Sequence, residues 1–125
     1  MKIRIKRIYD PVEQQDGCRI QVDRLWPRGI SKERASLAHW MKEVAPSHQL
    51  RKQFNHNSEQ FEEFRMNYIE ELRSDTLKSQ MIKELCQLAT THDLTLLYAA
   101  KNTTYNHAVV LREEILHIST DLTTI

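Results

Sequence analysis

Glycine is scarce in this sequence, because its 125 residues include only Gly17 and Gly29. Phosphate-binding loops of the GxxxxGKS/T and GxGxxG types use several glycines, so that the backbone can approach the phosphates closely. Neither pattern occurs here. The common nucleoside-triphosphate and dinucleotide-binding functions therefore lose their main support.

Cysteine and long apolar runs are scarce as well. Two cysteines, Cys18 and Cys86, do not make a disulfide framework in a chain of this length, which favours a reducing cytosol. No run approaches the ~18 apolar residues that a membrane span needs, and charges are interleaved with apolar residues in positions 1–7. We therefore expect no membrane span, no secretion signal and a cytoplasmic location.

The motifs of metal-dependent and nucleophilic catalysis are also missing. The six histidines show no HExxH spacing and have no neighbouring pair of cysteines, so we expect no metal and no cofactor. No serine lies in the GxSxG pattern of a nucleophile elbow. The sequence alone assigns no reaction and leaves open whether the protein is an enzyme.

Charge is nearly balanced overall, at +1, but it is unevenly distributed. Residues 1–34 carry nine Lys or Arg and five Asp or Glu, a net +4, which residues 35–125 offset with a net −3. This excess can attract phosphate, although it is smaller than the basic stripe of a typical nucleic-acid-binding protein. Nucleic-acid binding through this basic segment, with Tyr9, Trp26 and Tyr105 as stacking surfaces, is the alternative function.

The composition is that of an ordinary globular protein, with 40% apolar and 28% charged residues. The length suits a single domain that covers residues 1–125. No repeat, linker or low-complexity tract interrupts it. We expect this domain to be a monomer or a weak homodimer.

Three segments have the pattern of strands. Ile3 and Ile5 alternate with charged residues, which predicts a half-buried strand at or near the edge of a sheet. Residues 19–26 alternate in the same way until Pro27 stops them. The apolar run at residues 94–100 is typical of a strand covered on both faces, so we expect it at the centre of the sheet.

Helical patterns separate these strands. Ser31 is a candidate N-cap of a short helix, a break at residues 45–47 precedes a second one, and Ser58 is expected to cap a longer amphipathic helix. Two further helices are predicted over residues 77–90 and 108–116. Strands that alternate with helices indicate a layered α/β domain with at least partly parallel pairing.

The end of the second predicted strand is rich in arginine. In open α/β sheets, ligands bind beyond the carboxyl ends of the strands. Arg24 and Arg28 lie there, with Trp26 between them, and their planar guanidinium groups suit phosphate or carboxylate oxygens. The alternative is an ordinary ion pair between Asp23 and one of these arginines, with Trp26 simply packed.

The loop before the last predicted helix is the second candidate. Lys101, Asn102 and Asn106 follow the central strand, and His107 comes next. The unpaired amides and the dipole at a helix N-terminus favour anions, which these side chains would help to hold. The alternative is that Thr104 or Asn106 only caps the helix and that His107 is a surface residue.

The two strand ends lead to one hypothesis. We expect a small enzyme or ligand-binding domain that holds a phosphate- or carboxylate-bearing small molecule between Arg24, Arg28, Lys101 and the turn that ends at His107. If chemistry occurs, His107 is the expected proton carrier, because its reference pKa of about 6.5 lies close to neutrality. Asp23 is the second candidate catalytic residue, and the arginines would stabilise developing negative charge.

Several strings of residues resemble one known family. They include VDRLWPRG at residues 22–29, LLYAAK at 96–101 and NHA at 106–108. From the first strand to the last helix, the chain resembles domain-of-unknown-function family 488 (DUF488), in its short, YeaO-like branch. The resemblance implies a bacterial-type cytoplasmic protein and a single three-layer, Rossmann-like α/β domain, in which helices flank a small, mostly parallel sheet. It implies no settled activity.

One departure from the family pattern concerns cysteine. Longer members of the family carry a cysteine near the end of the strand that matches residues 96–100, and a Cys-His-Arg string near residues 106–108. Tyr98 and Asn106 occupy that neighbourhood here, and Cys18 lies at the start of the second strand, far from its carboxyl end. The resemblance therefore does not carry a thiol-based, rhodanese-like or phosphatase-like mechanism over to this chain.

Overall fold

The sheet is small and fully parallel. A computed structural model describes residues 2–55 and 57–123, with the side chains of 120–123 left out. Within these residues the strands are β1 (Ile3–Arg7), β2 (Cys18–Gln21), β3 (His39–Trp40) and β4 (Leu94–Tyr98). They pair in the order β1-β4-β2-β3. The predictions of an edge position for the first strand and an inner position for the apolar strand are both confirmed.

In the described part of the chain, five helices follow the second, third and fourth strands and cover the sheet. They are α1 (Lys32–Ala35), α2 (His48–Phe54), α3 (Phe61–Ser74), α4 (Thr76–Ala89) and α5 (His107–Thr123). Short 3-10 turns lie at Gln14–Asp16, Lys42–Val44 and Ser58–Gln60.

β4 is buried on both faces because its residues alternate between two apolar clusters. Leu94, Leu96 and Tyr98 belong to the main core, which also holds the buried residues of α3, α4 and α5. Leu97 belongs to a smaller cluster with Ala35 of α1, on the opposite face. Helices therefore lie on both sides of the sheet, which is the three-layer, Rossmann-like arrangement that we predicted.

The second strand is shorter than the sequence pattern indicated. It was predicted to reach residue 26, but β2 ends at Gln21, after which only the Val22 amide donates to the Leu97 carbonyl, at 3.1 Å. The register pairs Gln21 with Leu97, and β4 ends one residue later at Tyr98. Residues 23–28 therefore have no strand to pair with and form a turn at the sheet edge. β3 was missed because a strand of two residues has no readable period.

Two of the predicted helix positions also need correction. Ser31 caps α1 as expected, but Ser58 does not cap α3, because the Asn57 side chain caps the 3-10 turn that precedes this helix. Leu77 was predicted to face inward, yet it is 47% exposed. The inward position in the first turn of α4 is taken by Lys78, which is buried.

Buried hydrogen bonds hold the segment that leads into α2. Lys78 Nζ donates to the carbonyl oxygens of Glu43, at 2.9 Å, and of Ala45, at 2.7 Å. The Tyr68 hydroxyl donates to the Val44 carbonyl at 2.6 Å, and burial raises the pKa of this phenol well above its ordinary value. These bonds fix the backbone at residues 43–45, just before α2.

Candidate functional site

A pocket of about 680 Å³ opens at the carboxyl edge of the sheet. The parallel strands all end on this side, so the segments that follow them meet here. The lining comes from the turn 23–28 after β2, from residues 45–46 together with α2 and the core residue Phe64, and from residues 99–100 and 106–107 after β4. This is the edge at which open α/β sheets bind their ligands.

Six of the eight site residues predicted from the sequence line this pocket. They are Asp23, Arg24, Trp26, Arg28, Asn106 and His107. The other two, Lys101 and Asn102, are exposed and do not belong to its lining. β4 ends at Tyr98, so Ala99 and Ala100 reach the pocket instead. Asn102 closes its own loop, because its side-chain oxygen accepts from the amides of residues 104 and 105 at 2.9 Å.

The two arginines of the turn 23–28 are exposed. In the part of the chain that the structure describes, neither guanidinium group has a hydrogen-bond or carboxylate partner. The turn itself is anchored, because Trp26 Nε1 donates to the Ile30 carbonyl at 2.8 Å and the Tyr9 hydroxyl donates to the Arg28 carbonyl at 2.7 Å. The alternative ion pair between Asp23 and an arginine is not formed, so both positive charges stay available.

Asp23 is paired with His107 instead. His107 Nε2 lies 3.2 Å from Asp23 Oδ1 and 3.1 Å from the Val22 carbonyl oxygen. Since a carbonyl oxygen only accepts hydrogen bonds, Nε2 carries the hydrogen in this arrangement. The other oxygen of Asp23 accepts from the Gln21 side chain, and Trp40 Nε1 donates to the Asp23 carbonyl at 2.8 Å. These bonds join the ends of β2 and β3 to the start of α5.

Asn106 is the buried cap of α5. Its Oδ1 accepts from the Val109 amide at 3.1 Å, and its Nδ2 donates to the Asn102 carbonyl at 2.9 Å. Burial raises the pKa of the Tyr98 phenol, and a hydrogen bond with Asn106 offsets part of this effect. The capping role that we kept as an alternative for Asn106 is thus present, although this residue also lines the pocket.

Sequence reasoning missed the wall of the pocket that α2 and its C-cap supply. His48, Arg51, Lys52 and Asn55 all contribute to the lining and are exposed. Within residues 2–55 and 57–119, the side chains of Arg51 and Lys52 have no hydrogen-bond or carboxylate partner. The adjacent basic pair was the available signal. A single sequence does not show that this short helix folds against the strand ends.

Several basic side chains of the N-terminal segment are paired with carboxylates. Lys6 and Arg19 both pair with the buried Asp16, at 2.9 Å and 2.5 Å. Arg4 lies 3.8 Å from a carboxylate oxygen of Asp93. Three of the nine basic side chains of this segment are therefore paired with carboxylates within the fold, which weakens the case for nucleic-acid binding through a continuous basic surface.

Two structural features are absent from the residues described. Among them, no group of three or more His, Cys, Asp or Glu side chains is arranged to hold a metal ion. Nor do we find, over the same residues, a helix with the length and apolar character needed to cross a bilayer.

The fold and the edge pocket together define a class, that of small three-layer, Rossmann-like α/β domains with a parallel sheet. The chain belongs to the family described as the inactive DUF488-N3 subclade, which matches residues 2–122. The resemblance to DUF488 that we drew from short strings of residues is confirmed.

Bacterial proteins are similar to this chain over most of their length. The uncharacterized protein YeaO of Escherichia coli (strain K12) is 50% identical over 113 residues, which cover 90% of this chain and 96% of that protein. The uncharacterized protein Rv3073c of Mycobacterium tuberculosis (strain H37Rv) is 37% identical over 112 residues, covering 90% and 92% respectively. No solved structure matches the chain.

Proposed function

We propose that the protein is a ligand-binding domain that holds a small anionic molecule, bearing phosphate or carboxylate groups, in the pocket at the carboxyl edge of the sheet. One observation carries the proposal. Arg24, Arg28, Arg51 and Lys52, which we call the four pocket cations, line one pocket, and none has a carboxylate partner among the described residues. Positive groups gathered in a concave site favour an anion, and guanidinium groups bind its oxygens in pairs.

The remaining charges around the pocket support the same conclusion. Asp23 is the only acidic residue among the described residues of the lining, and its carboxylate is already engaged by His107 and Gln21. Arg7 adds a further cation beside the pocket. It donates to the carbonyl oxygens of Ala100, at 3.0 Å, and of Ala99 next to it, at 3.2 Å, so these oxygens are already occupied by a positive partner.

Binding is favoured over turnover. The family's description calls it inactive, and Tyr98 and Asn106 stand where we expected longer members to have cysteine. His107 Nε2 holds its hydrogen towards Val22 and Asp23, so this nitrogen is not placed to remove a proton from a ligand. We therefore give Asp23 and His107 the role of positioning the pocket turn against α5.

The setting that we propose is cytoplasmic, with residues 1–125 acting as one domain, as a monomer or weak homodimer and without a cofactor. Cys18 and Cys86 are both free thiols and form no disulfide, which supports a reducing compartment.

A thermal-shift experiment with pyrophosphate and citrate tests the anion site. Saturation at a hundredfold excess over Kd adds about 2.7 kcal/mol, so we expect Tm to rise by several degrees. The double substitution Arg24→Ala and Arg28→Ala should abolish most of this shift. The matched control, Arg34→Ala with Lys83→Ala, removes two exposed cations that are not in the lining and should keep it.

Two results would contradict the proposal. One is an equal shift in the parent and in the pocket double variant. The other is an equal loss in the pocket variant and the control, which would trace the effect to net charge alone. Binding of a single-stranded oligonucleotide at low ionic strength, lost steeply on addition of salt, would favour the nucleic-acid alternative instead.

A further inference from the structure

The pocket is larger and less polar than a simple anion requires. Its volume of about 680 Å³ lies within the range of roughly 300–1,000 Å³ that encloses whole small molecules. An inorganic phosphate or a single carboxylate group would leave most of this space to water. Half of the lining residues are apolar, so the pocket offers a second kind of surface besides its cations.

The apolar part of the lining includes aromatic rings held in fixed positions, of which Phe54 and Phe64 are 6% and 4% exposed. Phe54 and Phe64 stack with their ring centroids 4.6 Å apart, and both contribute to the lining. Trp26 is held by its hydrogen bond to Ile30 and by an edge-on contact with Trp40, with 5.2 Å between centroids. Rings that are already immobile lose little conformational entropy when a ligand binds, which favours a flat apolar group.

Leu25 marks the place where the two surfaces meet. It is 68% exposed, belongs to the pocket lining and lies between Arg24 and Trp26 in the chain. A single exposed leucine is ordinary on a protein surface. Leu25, however, lines a pocket and is flanked in the chain by a cation and an aromatic ring. An apolar group of the ligand that packs against it would remove apolar surface from water.

We propose that the ligand is a phosphate monoester with an apolar, ring-containing body. The four pocket cations hold the phosphate, and the body lies against Leu25, Trp26 and the phenylalanine pair. This inference rests on the proposed anion-binding function and names the class of its ligand. Phosphate suits the site better than carboxylate, because a monoester carries about −1.5 to −2 charges at pH 7 and offers three acceptor oxygens.

Calorimetric titration with three matched probes tests this inference. Methyl phosphate has the charged group without the ring, 1-naphthoate has the ring with a carboxylate, and 1-naphthyl phosphate has both features. We expect 1-naphthyl phosphate to bind about tenfold tighter, or more, than either of the others. Leu25→Asn should reduce its advantage over methyl phosphate by about threefold. Val12→Asn is the control, since Val12 is 50% exposed and lies outside the lining.

The possible results separate this inference from the function on which it rests. Equal affinity for methyl phosphate and 1-naphthyl phosphate would contradict the inference that the ligand has a ring-containing body. Equal affinity for 1-naphthoate and 1-naphthyl phosphate would contradict the inference that its charged group is a phosphate. In both cases anion binding would stand, provided that Arg24→Ala with Arg28→Ala weakens it. If Leu25→Asn leaves the advantage of 1-naphthyl phosphate over methyl phosphate unchanged, the ring does not lie against Leu25. If no probe binds and pyrophosphate gives no shift, the proposed function itself fails.

Discussion

Asp23 Oδ1 lies 3.2 Å from His107 Nε2, and this contact joins the end of the second strand to the first residue of α5. The only carboxylate among the described lining residues is therefore used to hold the pocket together. It does not neutralise Arg24 or Arg28, which follow it in the same turn. Among the described residues, Arg24 and Arg28 therefore have no carboxylate partner.

The substitution Asp23→Asn should strengthen anion binding. It removes the negative charge and keeps a side-chain oxygen that can accept from His107 Nε2. We expect the affinity for pyrophosphate to rise about three- to tenfold at low ionic strength, and less at high salt. The loss of a charge-assisted hydrogen bond should lower the free energy of unfolding by about 1–2 kcal/mol. Calorimetry and denaturant unfolding measure the two effects.

The control for this prediction is Glu33→Gln, which changes the net charge equally at an exposed position that is not in the pocket lining. It should leave the affinity nearly unchanged. A fall in affinity for Asp23→Asn would mean that the carboxylate itself serves the ligand, and would contradict its assignment as a positioning residue.

Lys78→Met should lower both the stability of the protein and its affinity for pyrophosphate, although Lys78 does not line the pocket. The ammonium group of Lys78 is buried and donates to the carbonyls of Glu43 and Ala45, just before α2. Removing it leaves both carbonyls without this partner, so we expect a loss of about 2–3 kcal/mol of unfolding free energy. The affinity for pyrophosphate should fall as well, because Arg51 and Lys52 on α2 lose their fixed position. Denaturant unfolding and calorimetry at a temperature where the variant is folded measure both.

Lys83→Met is the matched control, since Lys83 lies on the same helix and is exposed. It should retain both stability and affinity. If Lys78→Met loses stability but binds pyrophosphate as the parent does, the position of α2 in the pocket wall does not depend on the hydrogen bonds of Lys78.

The sequence predicted those features that depend on local pattern. Leu96 and Leu97 lie in an unbroken apolar run, which indicated a strand buried on both faces, and the structure has them in separate apolar clusters. Arg24 and Arg28 could be placed because they follow a strand, and the carboxyl edge of a parallel sheet is where ligands bind. Both inferences use only residues that are close together in the chain.

Features that depend on distant contacts could not be predicted. Arg51 and Lys52 lie on a helix whose preceding segment is held by Lys78 and Tyr68, more than 15 residues further along the chain. Lys101 was assigned to the site because it follows the central strand, but β4 ends three residues earlier, at Tyr98, and Lys101 is exposed outside the pocket lining. Strand register and the packing of distant segments determine which of these residues line the pocket. Neither produces a periodic pattern in a single sequence.

Acid should unfold the protein partly through Asp16. Burial alone would raise the pKa of this carboxyl, but hydrogen bonds from the Glu13 amide, Lys6 and Arg19 hold it below its ordinary value. A lowered native pKa means that the stabilisation is fully present above the ordinary Asp pKa of about 3.9, and is lost as the pH falls through the native pKa. Asp16→Asn should cost about 3–5 kcal/mol at pH 7, because it leaves Arg19 buried without its carboxylate.

The difference in unfolding free energy between the parent and Asp16→Asn should shrink as the pH falls below about 4, since protonation then removes the same charge from the parent. Denaturant unfolding from pH 7 to pH 3 measures this convergence. Glu84→Gln, at an exposed position on α4, should follow the parent curve throughout. A difference for Asp16→Asn that stays constant over this range would contradict the role assigned to the charge.

The two glycines should respond very differently to replacement by alanine. Both have a positive φ, of 64° at Gly17 and 79° at Gly29, which costs any other residue about 1–2 kcal/mol. At Gly17 an added Cβ would also lie 2.3 Å from the carbonyl oxygen of Asp93, and this oxygen is held in place by the Cys18 amide at 2.9 Å. At Gly29 the added Cβ would have no described atom within 4 Å apart from those of the glycine and its two chain neighbours. We therefore expect Gly29→Ala to lose about 1–2 kcal/mol and Gly17→Ala about 4 kcal/mol or more, as measured by denaturant unfolding. Equal losses would show that the backbone at residue 93 can move aside.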